Sequence, residues 1–229
     1  MPLPRPWMSS GSLAVLLGVA GCIPYTVGST AQPVPEGESS EAMVFYTIPN
    51  GIETSRDSGG IAWTGFDMEF RRGVSDRADV GIRIPSASGI VVTYKYRLGS
   101  DFNERRAASA LMFGGGFVNM GNHAHFELTF LTSGRQAMFT PYGGLRVAQV
   151  IPLSRDAESD SPTAGGFLGL RIGKETLGVS AEVGVFYDRS ALELRSSNVI
   201  VVPALVLHGD LVKALTGGPR ARPQHRRRQ

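Results

Sequence analysis

Gly65-Phe66-Asp67-Met68-Glu69-Phe70 sets apolar side chains at every second position and carboxylates between them. A period of two belongs to an extended strand, whose successive side chains leave opposite faces; a helical period of 3.6 would mix the two kinds on every side. The alternation recurs along the chain and predicts ten strands: Glu41 to Ile48, Ile61 to Arg71, Ala78 to Ile84, Gly89 to Arg97, Ala107 to Val118, Ala124 to Leu131, Phe139 to Ile151, Gly165 to Ile172, Leu177 to Tyr187 and Asn198 to His208. No window repeats its apolar residues at helical spacing. Gly73-Val74-Ser75-Asp76 and Gly173-Lys174-Glu175 are tight joins, whereas Pro49 to Gly60, Pro152 to Ala164 and Asp188 to Ser197 are longer and polar. Short and long joins in rough alternation describe an antiparallel meander with a turn end and a loop end. The expected fold is all-β: one up-and-down β-barrel of about ten strands, with eight or twelve as the neighbouring counts.

Sorting the strands by parity separates two chemistries. One face carries Phe66, Met68, Phe70, Ile82, Val92, Tyr94, Tyr96, Leu128, Leu145, Leu170 and Val183, with almost no charge. The other carries Asp67, Glu69, Asp79, Glu127 and Glu182 against Arg83, Lys95, Arg97, Arg146 and Arg171, with glycines such as Gly81, Gly114 and Gly169 between them. These balanced charges are candidates for ion pairs across a narrow lumen, where glycines make room for long side chains. Periodicity does not say which face is inside. A soluble barrel buries its apolar face and a membrane barrel turns it to lipid. The glycines, the charge balance and strands of ~9–11 residues, enough to cross a bilayer when tilted, favour the transmembrane type. Against it, the last strand is apolar on both faces and has Pro203 in its middle. The alternative is a lipid-anchored soluble periplasmic barrel carrying an apolar ligand.

The chain of 229 residues has one cysteine, so it forms no intramolecular disulfide. Leu13 to Ala20 is an apolar run too short for a bilayer span but suited to the core of a secretory leader. It closes in Leu17-Gly18-Val19-Ala20-Gly21-Cys22, which resembles a lipobox, the signal after which a cysteine is acylated and becomes the first residue. The organisation expected is a signal peptide over 1–21, a lipidated Cys22 with a flexible Pro/Gly/Ser/Thr-rich tether over 22–40, a barrel over 41–212 and a basic disordered tail over 213–229. Arg5 and five arginines among the last ten residues account for the basic excess: without those six, the formal +3 becomes −3 for the body. That balance excludes a nucleic-acid binder. The expected partners are outer-membrane lipids, and the arginine tail suits anionic headgroups or acidic wall polymers.

Thr30-Ala31-Gln32-Pro33-Val34-Pro35-Glu36-Gly37-Glu38, then Arg71-Arg72-Gly73-Val74-Ser75-Asp76, then Val92-Thr93-Tyr94-Lys95-Tyr96 resembles a group of porin-like Gram-negative outer-membrane β-barrel proteins. The resemblance covers about the first third of the mature chain. It implies a porin-like barrel in the outer membrane and names no solute. His123 and His125 with Glu127 share a strand or its rim, but no second ligand cluster with metal spacing accompanies them, so rim histidines and a Glu127 paired with a lumen arginine are the expectation. Gly114-Gly115-Gly116 lacks the Lys-Ser or Lys-Thr of a phosphate loop. No serine sits in a hydrolase motif. The expected role is structural, adhesive or narrow-pore and non-enzymatic, with no metal and no cofactor beyond covalent lipid at Cys22.

Overall fold

The computed structural model describes residues 24–52, 61–99, 107–153, 162–174, 177–188 and 198–209. The leader, Cys22 and the basic tail lie outside these residues. The alternating segments form β1 (Ser39–Ile52), β2 (Ile61–Ser75), β3 (Ala78–Pro85), β4 (Ile90–Leu98), β5 (Ala108–Val118), β6 (His123–Ser133), β7 (Phe139–Pro152), β8 (Thr163–Lys174), β9 (Leu177–Tyr187) and β10 (Val199–Gly209). Each strand pairs antiparallel with the next, and β10 returns to β1, so the sheet closes on itself. Closure leaves every strand with two neighbours.

At the turn end β2 leads into β3, β4 into β5, β6 into β7 and β8 into β9, and β1 starts and β10 ends there. At the loop end β1 leads into β2, β3 into β4, β5 into β6, β7 into β8 and β9 into β10. The closing seam is the shortest pairing. The β9–β10 register runs from Val199↔Tyr187 to Gly209↔Leu177, but β10 meets β1 only from Ala42↔His208 to Tyr46↔Ala204. The next residue of β10 is Pro203, which has no N–H to give a ladder.

The barrel is built inside out relative to a soluble protein. In β4, Val91, Thr93, Lys95 and Arg97 are buried while Ile90, Val92, Tyr94, Tyr96 and Leu98 face outward, and the same parity holds round the ring. The apolar-ligand carrier is therefore set aside, because its apolar face would have to line the interior. The doubly apolar β10 also finds its reason here: Val199, Val201 and Leu205 face out, while Ile200, Val202 and Val206 cluster with Val44, Tyr46, Phe186 and Tyr25 inside.

The largest departure from expectation is the tether. Residues 24–34 are buried save for a half-buried Pro33, and they run through the barrel interior rather than hanging free of it. Composition alone reads a Pro/Gly/Ser/Thr segment as flexible; the physical reason it is not lies in the lumen side chains that meet its backbone.

Candidate functional site

The site is the lumen and the strap, residues 24–38, that fills it. All ten inward charge candidates, Asp67, Glu69, Asp79, Arg83, Lys95, Arg97, Glu127, Arg146, Arg171 and Glu182, are buried, and Arg71 and Asp188 join them. Six acids and six bases among the described residues leave the interior formally neutral, which a region shielded from water requires.

The strap descends from loop end to turn end. The Tyr25 hydroxyl donates to Asp188, the residue just after β9, at 2.5 Å, and its ring lies 5.8 Å from that of Phe186. One step on, the Thr26 carbonyl accepts from Arg83 at 2.8 Å and Arg146 at 2.7 Å, and Arg83 also donates to the Val27 carbonyl at 3.1 Å. The consecutive N–H groups of Val27 and Gly28 each donate to Glu182 at 2.8 Å. Gly28 itself takes φ +62°, a left-handed backbone that glycine adopts without steric cost. Lower still, Lys95 donates to the Ser29 hydroxyl at 3.0 Å and to the carbonyls of Thr30 and Gln32 at 3.1 and 2.9 Å. Near the turn end Val34 N–H donates to Asp79 at 2.8 Å, and Gly37 and Glu38 exchange 3.1 Å backbone bonds with Gly73. The strap's apolar side chains find an apolar stripe on β5 to β8, where Val27 and Ala31 cluster with Ala110, Met112, Leu131 and Phe167.

Beneath these bonds the wall charges pair with one another. Arg71 bridges Glu69 at 2.6 Å and Asp79, which lies 3.2 Å from Lys95; Arg83 stands 3.5 Å from Glu69. Glu127 pairs with Arg146 and with His125 at 2.9 Å. Ion pairs across the lumen are thus realised for Glu69, Asp79 and Glu127. Glu182 instead takes the strap N–H groups and the Tyr142 hydroxyl at 3.0 Å. Asp67 lies within electrostatic reach of Arg83 and Arg146. Arg97 and Arg171 are buried near the turn end, each with an interaction of its own.

Glycines admit these groups. A Cβ at Gly114 would stand 2.5 Å from Glu127, and one at Gly169 would stand 2.3 Å from the Tyr142 ring. A cavity beside Gly28, Ser29 and Lys95 measures about 10 Å³, room for about one water. A narrow pore, expected as one role, is occupied here by the chain itself. Among the described residues no cluster of histidine, cysteine and carboxylate is disposed to hold a metal ion. His123 sits near the loop end, 3.3 Å from Asn119.

Sequence reasoning missed Arg71, although it shares the parity of Asp67 and Glu69 and was legible on that ground. It missed Tyr142 and His125 as lumen hydrogen-bonding groups, and the whole strap, whose bonding atoms, the Tyr25 and Ser29 hydroxyls aside, are backbone and leave no side-chain signal.

No family model and no curated protein matches the chain. Among solved structures, it is similar to the outer membrane protein OprG from Pseudomonas aeruginosa, with 12% identity over 79% of this chain and 97% of that one at a TM-score of 0.28. It is also similar to Ail, the attachment invasion locus protein of Yersinia pestis, with 14% identity over 76% and 97% and a TM-score of 0.32. Likenesses at this level bear on neither solute nor partner.

Proposed function

We propose that this chain is a self-plugged β-barrel lipoprotein of a Gram-negative outer membrane, with a structural or adhesive rather than conducting role and no enzymatic activity. The observation that carries the reading is the outward face. Thirty-two large apolar side chains of the described residues are exposed, distributed round the ring. A soluble monomer rarely exposes a contiguous apolar patch beyond a few hundred Å². Among described side chains, the charges facing outward from the strands are Glu41 and Arg72, both near the turn end. Strands β4, β5, β6, β9 and β10 are 9 or 11 residues long, the length that crosses a bilayer when tilted. A wall of this kind satisfies its backbone within itself and offers lipid only side chains.

The filled lumen supports a structural or adhesive role over a pore, since a strap hydrogen-bonded by six lumen side chains occupies the interior. The lipid on Cys22 and the outer-membrane address rest on the lipobox-like sequence and on the envelope chemistry of barrels.

The membrane reading is tested with single cysteines in a Cys22→Ser background reconstituted in vesicles. Leu128→Cys, Leu145→Cys and Leu170→Cys are expected to be modified by a thiol reagent carried in the lipid, and Thr129→Cys, whose parent is fully buried in the lumen, is expected to escape it. Modification at Thr129, or at none of the four, would remove the membrane assignment.

A further inference from the structure

Both ends of the barrel sheet, Ser39 and Gly209, lie at the turn end, yet the strap does not start there. Its contacts fix its direction: Tyr25 at Asp188 beyond the top of β9, Glu182 and Arg146 at mid-strand, Lys95 lower, Asp79 at the foot of β3, and Gly73 beside the turn 76–77. Pro24, the first described residue, therefore stands toward the loop end.

From this we infer that the amino-terminal end of the mature protein stands on the loop side of the membrane, opposite the carboxyl end, and that the acyl group on Cys22 is inserted in the leaflet on that side. The inference rests on the membrane-barrel and Cys22 readings above. Two distances decide it. Cys22 precedes Pro24 by two residues, which reach ~7 Å at full extension. Strand β9 has 11 residues, so ten steps of ~3.3 Å tilted by ~40° separate the two ends by ~25 Å along the axis. The end of the chain cannot return to the turn end outside the barrel on so short a lead. Nor is a way back inside open, because the strap and the buried side chains that bind it occupy the lumen. In outer-membrane barrels the long loops face outward and the short turns face the periplasm. The lipid would then sit in the outer leaflet, and the strap would join a surface anchor to a periplasmic seam.

The test uses the full chain in cells. One form carries a peptide tag between Ile23 and Pro24 and another carries it after Gln229, while a fatty-acid analogue reports acylation. Antibody is expected to bind the first tag on intact cells and the second only after permeabilisation, with the lipid label present on both forms. An amino-terminal tag reached only after permeabilisation overturns the inference, as does a carboxyl tag bound on intact cells. Absence of the lipid label with an unchanged tag pattern would remove the Cys22 reading and leave the exit on the loop side standing. A photo-reactive phenylalanine analogue at position 25 of the untagged chain provides a measurement independent of the tag. Its capture of the peptide bearing Phe186 or Asp188 is expected, and an assembled barrel without that product refutes the threading.

Discussion

Arg146→Leu isolates what holds the strap. The guanidinium of Arg146 pairs with Glu127 and donates at 2.7 Å to the Thr26 carbonyl, and it is 2% exposed. Leucine keeps much of the bulk and removes the charge. Glu127 would retain His125 at 2.9 Å, and the Thr26 carbonyl would retain Arg83 at 2.8 Å. Breaking a buried ion pair by removing one partner costs about 3–5 kcal/mol, because the remaining charge stays desolvated. At ~2–4 °C per kcal/mol for a chain of this size, the unfolding midpoint should fall by about 6–20 °C. The assay is the heat-induced mobility shift of the folded barrel in detergent, with Arg135→Leu, an exposed residue of the turn end, as the control. The double variant Arg146→Leu with Glu127→Leu should recover most of the loss, since a buried pair exchanged for apolar groups is often neutral. If Arg146→Leu falls no further than Arg135→Leu, the arginine is in water and the lumen is not as described. If the double variant is as weak as the single, the damage comes from lost shape and not from an orphaned carboxylate.

Three further outcomes follow from the same interior. In the run Gly114-Gly115-Gly116, an added Cβ meets Glu127 at 2.5 Å, ordinary contact at 3.6 Å, and the Ile90 carbonyl at 2.0 Å in turn, so Gly115→Ala should be near neutral while Gly114→Ala and Gly116→Ala each cost about 1–3 kcal/mol in the same assay. Gly28→Val should cost at least ~1–2 kcal/mol for the left-handed backbone alone and should loosen the strap, seen as cleavage within residues 24–34 by a protease that spares the parent. Removal of residues 24–34 would strip Arg83, Arg146, Lys95 and Glu182 of backbone partners; the expected result is a lower midpoint and ion conductance in planar bilayers where the full chain shows none, and an unchanged midpoint would mean the strap contributes nothing to stability.

Much of the barrel was legible because strands announce themselves. Side chains alternate faces with a period of two, so all ten strands were placed from residues such as Phe66, Asp67, Met68 and Glu69 without any knowledge of what lay opposite. Parity likewise grouped the ten wall charges, and applied strictly it would have added Arg71. What parity lacks is a sign. Exchanging inside for outside leaves the pattern unchanged, and only closure of the sheet, with Lys95 and Arg83 in and Tyr94 and Ile82 out, decides between a carrier and a membrane wall. The partners of each charge were equally hidden, since register and curvature, not spacing along the chain, bring Arg71 to Asp79 and leave Glu182 to the strap. The strap itself carried no pattern at all. Apart from the Tyr25 and Ser29 hydroxyls, Pro24 to Val34 is bound through carbonyl and N–H groups that every sequence possesses, so its order is largely a property of the lumen around it. Alternation along the chain specifies the strands and the polar set, whereas the inward face and the path of the amino-terminal segment depend on groups that meet only when the ring closes.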